Sequence, residues 1–434
     1  MIYIINPALE KHEICTKENK MKNWKKLNHS EQIARVRQAL LENINFSKDA
    51  PLGYPASKLD SKVFYDDAPF LKDAPVLSTF VANPNHIGCH TTGTSEKAFK
   101  GTQKIEKEAI AILASSLFGC ENGTYDGYIA SGGTEANLQA LWMFRNYFMK
   151  SFGAQPAEIA IIASEDTHYS IAKGSNLLLI DWLNVKVGFE SRQIDTIAFE
   201  KQLLEAVQHG KKYFIVVCNM GTTMFGSIDN PNDYIDILKK HQLTFKLHVD
   251  AAYGGFVYPF LAKENKLDFK NPLVSSITVD AHKMLQAPYG SGIFLCRKGL
   301  IENVLTKEAA YVEGMDLTLS GSRSGANAVA VWMILVTYGE NGWFEKVKVL
   351  QMRTDWLCEQ LTDLHIGYFR EPNMNIVTIK SEFVSETIAH QFDLVPQNHT
   401  GENDWYKIVV MDHVEIDQLR KLLDKLKEFT VILA

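Results

Sequence analysis

Between Ser276 and Gly292 the chain reads SITVDAHKMLQAPYGSG, a β-branched run that ends in Asp280, His282 and Lys283 before a Pro-Tyr-Gly-Ser-Gly turn. An ammonium is costly to enclose. A lysine placed where an apolar strand runs out is partly desolvated, and a lowered pKa makes its amine a nucleophile. A second strand end, FKLHVDAAYGGF, presents Asp250 ahead of small residues. Taken alone, that carboxylate suits a metal, a helix cap or a buried cation equally well. GYIASGGTEANLQALW joins a strand to a helix through Ser131, Gly132, Gly133 and Thr134. The glycines let backbone approach a ligand, and a helix start offers free N–H groups to an anion. A tight turn capped by Thr134 would read the same way. His168 in SEDTHYSIAKG and Thr222-Thr223 in NMGTTMFGSIDN follow two further apolar runs. A lone histidine is more often structural, but its ring can also cover a flat ligand.

Ligands of open α/β sheets gather outside the carboxyl ends of the strands. A phosphate cup, a carboxylate, an imidazole and an amine at successive strand ends together match the needs of pyridoxal 5'-phosphate. That cofactor takes a lysine, an acid at its ring nitrogen and an anion site.

The elements that must position these groups follow from periodicity. The short apolar runs GYIA, EIAIIAS, NLLLI, YFIVVC, FKLHVD, SSITVD and GIFLC read as seven strands of a mostly parallel sheet, with helices on both faces. QKIEKEAIAILASSLF sets Ile105, Ala109, Ile112 and Leu113 on one helical face. Before it, KENKMKNWKKLN is a charged stretch, and SEQIARVRQALLENI has helical spacing behind a serine cap. After it, GANAVAVWMILVTYGENG and EKVKVLQMRTDWLCEQLTDL are two long helices, and NMNIVTI and YKIVVM are strands of a smaller α+β unit. The expected division is an N-terminal helical arm and connector over 1–75, a large domain over 76–315 and a small domain over 316–434.

With 434 residues and a net charge of −6, the chain lacks the basic field of a nucleic-acid or anionic-membrane surface. Its start resembles no signal peptide, and no apolar run is long enough to span a bilayer. Six scattered cysteines without a CxxC pair suit reduced thiols in a cytoplasm, not a disulfide frame or zinc site.

SGGTEAN, DTHYSIAK, GTTMFGSIDN, HVDAAYGGF, DAHKM and LTLSGSRSGANA occur in the order found in group II pyridoxal-phosphate-dependent amino-acid decarboxylases. The chain resembles that family, which includes glutamate, histidine, aromatic amino-acid and archaeal tyrosine/aspartate decarboxylases, over about residues 75–345. The resemblance implies fold type I, an aspartate-aminotransferase-like large domain, and decarboxylation of an L-amino acid to its amine and CO2. It implies that Lys283 is the Schiff-base lysine, Asp250 the partner of the pyridinium nitrogen, and His168 the cover on the ring. Gly133 and Thr134 would sit at the phosphate with His282 nearby, Thr223 beside the 3' oxygen, and Ala252 against the other ring face. Arg323 would hold the substrate α-carboxylate, and Tyr311 would be the mobile-loop acid, in a homodimer. The nearest competing activity is a carbon–carbon lyase like sphingosine-phosphate lyase. A fold-sharing aminotransferase and a cofactor-binding protein without turnover stand further off. STFVANPNHIGCHTTGTSE is expected to line the substrate pocket, with His86 as a substrate contact and Asn85, His90, Thr91 and Thr92 as polar candidates. No metal is expected, and the substrate's side chain is left open between acidic, imidazole, aromatic and other types.

Overall fold

A computed structural model describes residues 24–46, 48–49, 51–53, 59–93, 96–309 and 312–433. Its centre is a seven-stranded sheet built from β1 (Tyr125–Ala130), β2 (Ile159–Ser164), β3 (Asp181–Val185), β4 (Tyr213–Asn219), β5 (Thr244–Asp250), β6 (Val274–Asp280) and β7 (Gly292–Arg297). The order is β1-β7-β6-β5-β4-β2-β3. Strand β7 runs antiparallel to both neighbours, and all other pairings are parallel. Alternate residues feed two cores. Ile162, Val216 and Val249 pack on one face, and Ile161, Ile215 and Val217 on the other. Burial on both faces is why these strands read as unbroken apolar runs.

Six of the seven expected strands form where the runs predict them. NLLLI is the exception: the helix Ser170–Leu178 includes its first three residues, and the strand begins at Asp181. Leu177 and Leu179 are exposed. β3 is an edge strand with only Val185 fully buried, so it lacks the apolar signature of its neighbours. The helix expected behind a serine runs over His29–Glu42 and is capped by Asn28. The Asn28 side chain accepts from the Glu31 N–H, and Glu31 accepts from the Asn28 N–H in return, a reciprocal pair that Ser30 is too far inside the turn to make. The charged stretch before Trp24 lies outside the described residues.

The two long C-terminal helices form one run, Gly325–Asp363, broken at Gly339 with φ 64° and ψ −178°. A Cβ there would stand 2.7 Å from the Lys26 backbone nitrogen, so close packing and positive φ both select glycine. Beyond it, β8 (Tyr368–Phe369), β9 (Ile376–Lys380), β10 (Val395–Pro396) and β11 (Trp405–Val409) make an antiparallel sheet in the order β10-β11-β9-β8. The helix Ile416–Leu433 packs on it through Leu419, Leu422 and Leu426. Among the described residues, no helix is long and apolar enough to cross a membrane.

Candidate active site

The register sets Asn219 level with Asp250, Asp250 with Thr278, and Asp280 with Gly292, so these strand ends form one rim. Lys283 follows in the turn after β6, its Nζ 3.1 Å from Asp280 Oδ2. Two adjoining cavities meet at Lys283 and His168. The larger, about 510 Å³, is lined by Ser131 to Glu135, Asp280 and His282. The smaller, about 120 Å³, is lined by Asn219, Thr222, Thr223, Asp250, Ala252 and Tyr253. All eight residues expected at the cofactor therefore line one cavity or the other.

At the larger cavity, Gly132 precedes the helix Gly133–Phe152 with no side-chain cap. Thr134 is not the cap that a bland turn would need. A Cβ on Gly133 would come within 2.6 Å of Asp280 Oδ2, and one on Gly292 within 2.4 Å of the Gly132 carbonyl carbon, so only glycine permits this backbone approach. Asp280 Oδ1 and His282 Nδ1 are buried polar atoms without a protein partner. Open helix N–H groups and the unpartnered imidazole nitrogen of His282 suit a phosphorylated ligand.

At the smaller cavity, Asp250 Oδ1 accepts the Ala252 N–H at 3.0 Å, and Oδ2 accepts Asn137 Nδ2–H at 2.7 Å. Both oxygens are held, which fixes the carboxylate for a cationic ring nitrogen. The His168 ring stands over the shared space with Nδ1 2.9 Å from Ser170 Oγ. Burial pushes its pKa below the ordinary imidazole value, with Asp250 opposing. The residues present therefore fit pyridoxal phosphate: an anion cup, an aromatic cover, a fixed carboxylate and a lysine.

Sequence reasoning missed Lys407, which comes from β11 of the small sheet and lines the smaller cavity beside Lys283. Its Nζ donates to the Thr223 carbonyl at 3.1 Å, and no described carboxylate pairs with it. Burial and then the charge of Lys283 lower its pKa. A signal existed, since Trp405, Lys407 and Val409 share one strand face and a lysine amid that face is out of place. Asn137 was missed too, one helical turn beyond Gly133.

Arg323, expected at the substrate carboxylate, lines neither cavity. Its guanidinium is buried, donating to Glu106 Oε1 at 2.7 Å, to the Ile129 carbonyl at 2.8 Å and to the Gly88 carbonyl. Glu106 draws it there. That carboxylate also accepts from the Ile129 N–H at 2.8 Å and pairs with His86 Nδ1 at 2.5 Å. Burial would raise the Glu106 pKa, but Arg323, His86 and His90 hold it well below the carboxylate range. His86 is likewise consumed, its Nε2 meeting Thr102 Oγ1 at 2.9 Å. None of Asn85, His86, His90, Thr91 and Thr92 lines either cavity. This loop instead straps the 321–325 segment, with the His86 N–H donating to the Arg323 carbonyl at 2.9 Å and the Gly325 N–H to Pro84 at 2.9 Å. Tyr311 lies outside the described residues.

A family model, the pyridoxal-dependent decarboxylase conserved domain, matches residues 106–378. The chain is 53% identical over 409 residues to a tryptophan decarboxylase of Clostridium sporogenes, covering 94% of this chain and 98% of the relative. It is 32% identical over 378 residues to a probable L-tyrosine/L-aspartate decarboxylase of Methanocella arvoryzae, covering 82% and 94%. Its fold matches the L-methionine decarboxylase of Streptomyces sp. 590 with a TM-score of 0.69 at 21% identity, covering 93% and 94% of the two chains.

Proposed function

The chain belongs to the pyridoxal-dependent decarboxylase family, and from that premise we propose that its substrate is L-tryptophan and that Lys283 is its cofactor lysine. It is a lyase of amino-acid metabolism that uses pyridoxal 5'-phosphate to convert an amino acid to an amine and CO2. The relation to a tryptophan decarboxylase along nearly its full length carries the choice of substrate.

When bound, the cofactor supplies an aldehyde for the Lys283 amine and a ring that draws off the electron pair released at Cα as CO2 leaves. The Asp250 carboxylate, held at both oxygens, would favour a proton on the ring nitrogen. His168 would cover one ring face and Ala252 the other. Gly133, Thr134 and His282 would hold the phosphate, and Thr223 the 3' oxygen. Lys407 takes over the role expected of Arg323: its ammonium faces the cavity with one carbonyl bond and can bind and orient the α-carboxylate. Arg323 and His86 serve the loop that borders the site. Tyr311 keeps its expected role as the acid that protonates Cα. Because Arg323 stands away from the cavities, it does not separate a decarboxylase from a carbon–carbon lyase; the relatives do that.

The working form in this reading is a homodimer. Tyr169 and Leu319 of the larger cavity's wall are exposed, and Tyr289, 88% exposed, has its ring 5.4 Å from that of His282, an apolar rim that a second copy would cover. A division at about residues 75 and 315 leaves the catalytic sheet within one large domain. Five described cysteines are buried and unpaired, as suits a reducing cytoplasm.

Assaying CO2 release across the amino acids tests the substrate, with tryptophan expected first and tyrosine and aspartate far behind. Borohydride reduction followed by peptide mapping should find the cofactor on Lys283. An adduct elsewhere, or tryptophan left untouched, would overturn the reading.

A further inference from the structure

Asn137 sits one turn inside the helix that begins at Gly133, and its amide is used completely. Nδ2 donates to Asp250 Oδ2 at 2.7 Å and to Ser170 Oγ at 2.9 Å. Oδ1 lies 3.0 Å from His248 Nε2. The orientation is unambiguous, because a flipped amide would aim its oxygen at the Asp250 carboxylate. Each proton in the chain then has a set direction. Asn137 Oδ1 can only accept, so His248 carries its hydrogen on Nε2, and its Nδ1 accepts from Ser276 Oγ at 2.8 Å. Ser170 Oγ accepts from Asn137 and is free to donate to His168 Nδ1 at 2.9 Å. The Ser170 backbone N–H points at the same nitrogen at 3.3 Å. Two donors on Nδ1 leave the ring hydrogen on Nε2.

We propose that Asn137 is a positioning residue that locks the Asp250 carboxylate and the His168 tautomer together, so that the acid at the ring nitrogen and the imidazole over the ring are set by one buried amide. The inference rests on the reading of Asp250 and His168 as cofactor groups. Asn137, Ser170 and His248 are all buried at 1% exposure or less, so water does not compete for these bonds. His248, pushed down to about 4 by burial, stays neutral at working pH and keeps its single ring hydrogen. Helix, β5 and the 168–170 turn thereby meet at one side chain, and a shift at either cofactor group is transmitted to the other.

The test uses the full-length holoenzyme labelled with ¹⁵N in histidine, the His168 signals being identified by their loss in His168→Gln. The parent should show Nε2 protonated and Nδ1 bare between about pH 6 and 8. Asn137→Leu should populate both tautomers and lower kcat by about tenfold to a hundredfold, with KM changed less than about threefold. Asn137→Asp sets a second carboxylate against Asp250 and should add an ionisation to the kcat–pH profile that the parent lacks. If Asn137→Leu does not fold, Ser170→Ala decides. It removes the hydroxyl donor, leaves the longer backbone one, and should give a measurable share of the Nδ1–H form. A parent ring protonated on Nδ1 overturns the proposal, and so do Asn137→Leu or Ser170→Ala with parental ring signals and rate. The ring signals do not depend on turnover. An enzyme with the expected tautomer but no cofactor on Lys283 would therefore fail the functional reading alone.

Discussion

Replacing Glu106 by glutamine removes one charge from a buried network and keeps its shape. The carboxylate is 1% exposed and the Arg323 side chain 3%, and they pair at 2.7 Å. In the variant the guanidinium keeps the Ile129 and Gly88 carbonyls but loses its counter-charge. Stranding one member of a buried pair costs about 3–5 kcal/mol. Unfolding entropy of about 2.1 cal/mol/K per residue over 434 residues converts this to a melting midpoint lower by about 3–6 °C. The assay is thermal unfolding at one scan rate with equal cofactor saturation, because bound cofactor itself moves the midpoint. A Glu106→Gln, Arg323→Gln double variant should recover part of the loss, since the stranded charge is gone and both amides can still hydrogen-bond their buried neighbours. Steady-state kinetics complete the test: KM for the amino acid should rise less than about threefold in Glu106→Gln, because Arg323 lines neither cavity. A parental midpoint combined with a tenfold or larger rise in KM would refute the reasoning. The guanidinium would then be serving the substrate, as the sequence resemblance implies.

Lys407→Met should raise KM at least tenfold, with Lys407→Arg recovering part of it, and an unchanged KM would place the carboxylate elsewhere. Stability should fall as pH drops from about 6.5 to about 4. His248 has its folded pKa lowered to about 4, so its contribution is present above the unfolded value of about 6.5 and is lost as pH falls through the folded one, about 3 kcal/mol in all. His248→Gln should flatten that slope in urea titrations at several pH values, and an equally steep slope would show that His248 is not its source. Asp250→Ala should retain cofactor on Lys283 and lose nearly all CO2 release, and near-normal rates would remove it from the ring nitrogen. Tyr311→Phe should still release CO2 but form amine slowly and divert part to aldehyde, which product analysis would detect; amine at the parent rate would mean the phenol is not the acid.

The strand ends were legible because local sequence and global position coincide there. An apolar run buried on both faces stops at the sheet rim, so Asp250 and Lys283 are marked by what precedes them, and Gly133 by a turn that admits no Cβ. β3 was not legible, because an edge strand with one fully buried side chain has no apolar run to show. The two cations were the harder case. SGSRSG identifies an arginine by type and order, but its use depends on Glu106, 217 positions earlier in the chain, which no local pattern connects to it. Glu106, Ile129 and Gly88 take three of its five N–H donors and Glu106 neutralises its charge, while its buried Nε is left without a partner. Lys407 carries no motif in YKIVVM, yet folding brings it to the cavity with a single carbonyl for partner. A substrate carboxylate entering the site would replace lost hydration with a charge-assisted bond only where a cation is not already neutralised. By that criterion Lys407 of the small sheet is the partner proposed for the carboxylate, and the Lys407→Met kinetics decide between it and Arg323.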